Sequence, residues 1–168
     1  MNNKVLRFFL EIKSIKELKY SICKEKNLLI REEISLKKTA LSSFLYREIG
    51  RDFFWKDRLI WTEDEWEKIT SNDNYQLFIL QKSNDIVGYF ELISDKDKDF
   101  EISYFGIFKE YFGKKIGGYL LSNAIQIAFN QSAKRVWVHT CTLDHPNALK
   151  NYIARGMKIF KSEELNIN

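Results

Sequence analysis

The sequence predicts an α/β fold in which a mixed, mostly antiparallel central sheet is flanked by helices, and three observations carry that expectation. Tyr75–Gln81, Ile86–Ser94 and Asp99–Ile107 are β-prone runs joined by the short polar turns Lys82–Asp85 and Asp95–Lys98, so they fold as a meander. Beyond them, Leu120, Leu121, Ala124, Ile125 and Ala128 recur at helical spacing in Gly117–Asn130, and Lys134–Thr140 is again β-prone. A strand, a crossover helix and a strand joined in this way run parallel, which makes the sheet mixed. Finally, 168 residues with 45% hydrophobic and 30% charged side chains suit one domain with a sizeable core.

Taken in order, the chain begins with its least determined stretch. Residues 5–12 and 28–34 each read as a strand, with Ser14–Ile22 as a short helix between them. Thr39 stands as the cap of a helix whose apolar face is Ala40, Leu41, Phe44, Leu45 and Ile49, and Gly50 supplies its stop. Phe53, Phe54, Trp55 and Trp61 then crowd a segment around Asp57 and Arg58. Aromatics in such a segment more often pack helices onto a sheet than select a ligand, and Asp57 with Arg58 reads as a surface pair. Thr62 with Glu65 is a capping box for a second helix through Ile69. After the meander, helix and strand described above, Pro146 occupies the first turn of a helix Asn147–Ala154, and Met157–Lys161 is the last strand. No repeat, low-complexity segment or linker divides the chain.

Composition excludes several classes. No apolar run is long enough to cross a membrane, and the N-terminal stretch meets Glu11 and Glu17 too early for a signal peptide, so the chain reads as cytoplasmic. Two cysteines, Cys23 and Cys141, and two histidines supply neither a disulfide framework nor a zinc-like cluster, and no metal is expected. The net charge of +4 suits an anionic ligand, but the basic residues are scattered, which argues against a nucleic-acid partner. Oligomeric state, a homodimer included, is left open.

The densest chemistry lies in Asp99–Gly118, DFEISYFGIFKEYFGKKIGG. Its strand crosses a short turn and delivers Gly113, Gly117 and Gly118, with Lys114 and Lys115, at a helix start. Backbone N–H groups there lack intrahelical partners, the macrodipole adds about half a positive charge, and glycine admits a phosphate close to the main chain. A pyrophosphate is the candidate ligand. Ile116 follows Lys115, so the Ser or Thr of a nucleotide P-loop is missing, and the GxGxxG spacing of a dinucleotide loop is missing too.

The window Phe112-Gly113-Lys114-Lys115-Ile116-Gly117 resembles motif A of the GNAT superfamily of acyl-CoA-dependent N-acyltransferases: Gln or Arg, two residues, Gly, one residue, then Gly or Ala. Gly117 fits, whereas Phe112 replaces Gln or Arg and Lys115 replaces the first glycine. Downstream, His145–Met157 resembles the family's Asn, two residues, Ala, three residues, Tyr, three residues, Gly-Phe. Ala148, Tyr152 and Gly156 keep that spacing, while His145 replaces the Asn and Met157 the Phe. The resemblance runs from Tyr75 to the C-terminus.

It implies a single domain over residues 1–168, divided into a variable N-terminal segment (residues 1–38), a helical region (39–74) walling the acceptor site, and an acetyl-CoA-binding core (75–168). The family needs only one first strand, so one of 5–12 and 28–34 would be an addition. Acetyl-CoA, as cosubstrate, would be held by Phe112, Gly113, Lys114, Lys115, Ile116, Gly117, Gly118 and His145. The main chain of Gly106 and Ile107 would pair with the pantetheine arm and offer an N–H to the developing oxyanion. A lysine with positive φ at position 115 would cost about 1–2 kcal/mol, which a contact to a CoA phosphate would offset.

An amine with a pKa of about 10.4 needs a base before it can attack, whereas a thiol leaving group near about 8.5 needs only modest help. Glu101 aligns with the general base of the histone-acetylating branch, with Glu91 on the preceding strand as fallback; the plain alternative for Glu101 is a strand carboxylate that faces solvent or pairs with a neighbouring lysine. Tyr152 would be the general acid, or else a helix residue packing on the sheet. Thr140 and Cys141 would line the acetyl pocket. Cys141 as a nucleophile, near His139 and His145, gives way to a half-buried cysteine because direct transfer needs no thiol, and His145 reads as part of a helix cap.

The expected function is transfer of an acetyl group from acetyl-CoA to a primary amine, of a small molecule or a peptide, by direct attack in a ternary complex. A catalytically silent acyl-CoA-binding regulatory domain is the alternative, raised by the departures at Phe112, Lys115, His145 and Met157.

Overall fold

The computed structural model describes residues 4–166. The chain runs through β1 (Val5–Ile12), β2 (Leu28–Glu32), α1 (Lys38–Gly50), α2 (Glu63–Thr70), β3 (Tyr75–Lys82) and β4 (Asp85–Ser94). It continues as β5 (Asp99–Ile107), α3 (Ile116–Asn130), β6 (Arg135–Cys141), α4 (Ala148–Ala154) and β7 (Lys158–Leu165). The seven strands form one sheet in the order β2-β3-β4-β5-β6-β1-β7, antiparallel at every pairing except β5 with β6. The mixed sheet flanked by helices is therefore the fold expected from the meander and the crossover helix.

Side-chain alternation divides the core into two layers. On one face Leu80, Phe90, Leu92, Phe100 and Ile102 meet Leu120, Leu121, Ala124 and Ile125 of α3. On the other, Leu77, Ile79 and Tyr89 meet Leu45 and Ile49 of α1. The meander carries an irregularity that matters for function. Phe90 pairs with Phe105 and Leu92 with Ile102, so Glu91 alone faces both Ser103 and Tyr104. An extra residue bends its strand. β5 accordingly leaves its parallel neighbour after three pairs, Asp99 with Arg135, Phe100 with Val136 and Glu101 with Trp137.

Several expectations are corrected. Both N-terminal strands join the sheet: β2 pairs with β3 at one edge, while β1 lies inside the other end, between β6 and β7. One face of β1 carries Leu6, Phe8, Leu10 and Ile12, while the other alternates Val5 and Phe9 with Arg7 and Glu11. β2 is shorter than 28–34, and Leu29 is exposed at that edge. Only Ile15–Glu17 of the expected first helix is helical, as a 3-10 turn. The rest of that segment lies extended along α3 and α4, donating from Ser21 N to Ser122 Oγ (2.9 Å) and from Lys19 N to the Arg155 carbonyl (3.0 Å). Thr39 does not cap α1, whose N-cap is Lys37; its hydroxyl instead meets that of Thr70 at 2.7 Å, tying α1 to α2. The capping box of Thr62 and Glu65 forms as expected. β7 extends beyond 157–161 because β1 supplies partners as far as Leu165. Among the described residues no helix is long and apolar enough to cross a membrane.

Candidate active site

A cavity of about 920 Å³ opens where β5 and β6 part. Both faces of the sheet reach it. Ile102, Phe105 and Ile107 of β5 and Val138 of β6 belong to the α3 layer, whereas Tyr104 packs with the α1 layer and His139 and Cys141 alternate away from Val138. The opening therefore passes through the sheet, with α3 and α4 on one side and the α1–α2 connection on the other.

On the α3 side, Gly113 (φ 79°) and Lys115 (φ 61°) turn the chain into the helix, and the backbone N–H groups from Gly113 to Gly118 have no acceptor among the described residues. Gly113, Lys115, Ile116, Gly117 and Gly118 border the cavity. Lys114 does not; its ammonium lies 5.7 Å from the centre of the Tyr111 ring. Partners at the loop's carbonyls fix its direction: Asn151 Nδ2 donates to Gly117 O at 3.2 Å and Cys23 Sγ to Lys114 O at 3.3 Å. This set of free donors beside a lysine fits a diphosphate. Phe112 and His145, two of the four substituted motif positions, touch each other edge to face at 4.8 Å, and Phe53 packs on both. His145 Nδ1 also accepts from Asn147 N at 3.0 Å at the start of α4.

Tyr152 of α4 is 6% exposed and borders the cavity, and its hydroxyl has no hydrogen-bond partner among the described residues. Burial, reinforced by Asp144, raises its pKa, so the phenol keeps its proton. Asp144 is itself fully engaged: Thr140 Oγ1 donates at 2.6 Å, Cys141 N at 3.2 Å and Trp55 Nε1 at 3.1 Å. That network places Thr140 out of the cavity, buried, while Cys141 borders it. Burial pushes the Cys141 thiol up, away from the thiolate a nucleophile requires. Gly106 and Ile107 form the β5 wall; a methyl group on Gly106 would strike Ile49 and Trp55, so the glycine allows α1 to close against the strand.

The opposite side differs most from what the sequence suggests. Arg58 is not a surface residue paired with Asp57. It is buried, its Nη1 donates to both oxygens of Glu91 at 2.9 and 3.1 Å, and its Nη2 donates to Ser103 Oγ at 3.1 Å. The guanidinium lies over Tyr104 at 4.4 Å and Trp61 at 4.9 Å. Glu91 is fully buried and also accepts from Ser42 at 2.8 Å, so this fallback base is committed to the ion pair and does not border this cavity. The strand bulge, which no local pattern announces, brings the three elements together.

Glu101 occupies the last paired position before β5 and β6 separate, one residue outside the cavity wall. Its carboxyl is raised above the ordinary range by burial, with Arg58 opposing and Glu91 adding to the rise. His139 lies in the wall itself, and its imidazole forms no hydrogen bond among the described residues. Burial and the nearby Arg7 guanidinium lower its pKa, against Asp144, Asp57 and Glu163. In the sequence His139 stands out only as a neighbour of Cys141. Alternation in RVWVHTC, at the end of a strand following a crossover helix, is the signal that sets both side chains on the open face. Phe54, at φ 34°, is a strained backbone position on this rim, with the Lys56 ammonium 4.0 Å from its ring centre. No cluster of three metal-ligating side chains occurs among the described residues.

No curated protein matches the chain. Among solved structures it resembles a GCN5-related N-acetyltransferase from Sphaerobacter thermophilus, with TM-score 0.72 and 16% identity over 95% of this chain and 50% of that one. A GCN5-related N-acetyltransferase from Kribbella flavida gives TM-score 0.66 and 13% identity over 94% and 55%. The chain thus spans about half the length of these two proteins. An aminoglycoside acetyltransferase from an uncultured soil metagenomic sample, solved in complex with trehalose, gives TM-score 0.63 and 19% identity over 77% and 87%. These likenesses concern the fold. Sequence membership comes from the model described as the acetyltransferase (GNAT) family, which matches residues 42–157 and so takes in the helical region, the meander, the glycine loop and Tyr152. The chain belongs to the GNAT acetyltransferase family.

Proposed function

We propose that the chain is an N-acyltransferase that moves an acetyl group from acetyl-CoA to a primary amine by direct attack in a ternary complex. One observation carries this reading: the cavity passes through the sheet, with unsatisfied N–H donors and a free phenol on the α3 side and an aromatic, charged rim on the other. Two substrates can therefore enter from opposite faces and meet at the parting of β5 and β6. Acetyl-CoA supplies the activated acyl thioester. The N–H groups of Gly113–Gly118 and the Lys115 charge bind its diphosphate, flanked by Phe112 and His145, and the main chain of Gly106 and Ile107 orients the pantetheine arm and polarises the carbonyl. Lys114 contributes charge from outside the wall. Tyr152 holds a proton at its hydroxyl for the departing sulfur.

Glu101 takes the amine proton through water in this reading, and the position of His139 in the cavity wall favours it as a second candidate. The raised Cys141 thiol supports transfer without a covalent enzyme intermediate. Residues 39–74 supply the acceptor wall and 75–168 the cosubstrate core. Thermal unfolding tests the assignment. Acetyl-CoA at about a hundred times Kd should add about 2.7 kcal/mol of stability and exceed the shift given by ADP, and thiol release should rise above background with a panel of amines. A shift without turnover would favour the silent acyl-CoA-binding reading; no shift would reject both.

A further inference from the structure

Resting on the acyltransferase reading, we infer that the amine acceptor carries a carboxylate and that Arg7 is the residue that receives it. The insertion of β1 between β6 and β7 sets Arg7 opposite Cys141 on one side and Glu163 on the other. Phe9 pairs with His139 two residues along, so Arg7 shares the face of His139 and borders the cavity on the side away from α3. The family-matched segment, which begins at residue 42, does not include this side chain.

The guanidinium is incompletely used. Its only protein hydrogen bond among the described residues runs from Nη1 to Glu163 Oε1 at 3.4 Å, and the other oxygen of Glu163 meets Lys161 Nζ at 3.1 Å. One carboxylate is thus shared between two cations. Arg7 Nε is buried without a partner, and Nη2 has none among the described residues, although the side chain as a whole is 31% exposed. Nε and Nη2 form the side edge of the fork, whose two parallel N–H groups match the two oxygens of a carboxylate. The cavity-bordering guanidinium thus keeps an unpartnered N–H group at Nη2, and the buried Nε joins it against both oxygens of a carboxylate when the side chain turns outward. Across the same opening Asp57 is exposed and has no hydrogen bond among the described residues, so an incoming ammonium meets an acid while the carboxylate meets Arg7. Lys56, the remaining cation of this rim, lies over the Phe54 ring, leaving a single fork for a planar anion.

The test measures kcat/KM with acetyl-CoA for glycine, β-alanine and γ-aminobutyrate, each beside its carboxamide, with phosphoethanolamine as a phosphate-bearing amine. The full chain should use at least one amino acid about tenfold better than its amide. That ratio should fall towards one in Arg7→Gln and be partly kept by Arg7→Lys, which restores the charge without the fork. Equal use of acids and amides by the unaltered chain, preference for phosphoethanolamine, or a ratio that survives Arg7→Gln would each overturn the inference. Amides turned over as well as acids, with the acetyl-CoA shift intact, would show that Arg7 had been misassigned while the acyltransferase stood. No turnover with any amine would end both.

Discussion

Burial decides what the titratable groups at the cavity can do. Tyr152 keeps its proton because its phenol is buried and Asp144 lies near, so it can donate but not accept. In Tyr152→Phe, kcat should fall by about tenfold to a hundredfold, at or below the low end of general-acid effects because a thiolate leaves readily, while the acetyl-CoA KM stays close to its original value. Glu101 and His139 are separated by pH. The raised Glu101 carboxyl holds a proton that the unfolded chain has already lost, so stability declines as pH rises from about 4.3 through its folded pKa. His139 behaves in the opposite sense: the unfolded chain gains a proton first, so stability declines as pH falls from about 6.5 through the lowered folded pKa. Glu101→Gln should therefore raise the unfolding temperature at neutral pH yet abolish the acid limb of the kcat/KM profile. Should that limb survive and vanish instead in His139→Gln, the base is His139. Tyr152 is legible in the sequence because a fixed spacing within one helix identifies it; His139 and Arg7 are not, because their meaning depends on which strands lie beside them.

At the level of elements, local signals are reliable where the interaction is local. The hairpin turns, the Thr62–Glu65 box and the apolar stripe of α3 all form between residues close in sequence. Arg58 shows the limit of that logic. Adjacent Asp57 offers an obvious partner, but the actual one, Glu91, is 33 residues away and reaches Arg58 only because β5 bulges beside it. The pair locks the α1–α2 connection onto β4 and β5, and so fixes that rim of the cavity relative to the splayed strands. Replacing Arg58 by Met would leave Glu91 charged, buried and unpaired, and should cost about 3–5 kcal/mol. The double variant Arg58→Met with Glu91→Leu should recover much of that loss in urea unfolding, since two apolar groups leave no stranded charge. A double variant as unstable as the single one would mean that the tyrosine and tryptophan contacts of the guanidinium, rather than the charge pairing, hold the segment.

The whole molecule is closed by its least predictable strand. Periodicity marks residues 5–12 as β, but strand order is a choice among distant partners, and nothing within VLRFFLEI says that it enters beside Thr140 and Ser162 rather than beside Tyr75. Once there, β1 is structurally central despite lying at the start of the described chain. It is the only neighbour of β7 and the second neighbour of β6 among the described strands, so the cavity wall on that side depends on it. Its amides should exchange with the slow set of β4 and β5, not with the fraying ends, in native-state hydrogen exchange. Removal of residues 1–13 should detach β7, open β6 and remove Arg7 together, giving a chain with no cooperative unfolding transition and no stabilisation by acetyl-CoA. A peptide of residues 4–13 added in trans should restore both in proportion to its concentration, because it binds only the folded partner surface. If the shortened chain instead unfolded cooperatively and still answered to acetyl-CoA, β6 would carry the cosubstrate half unaided, and β1 would serve the acceptor alone.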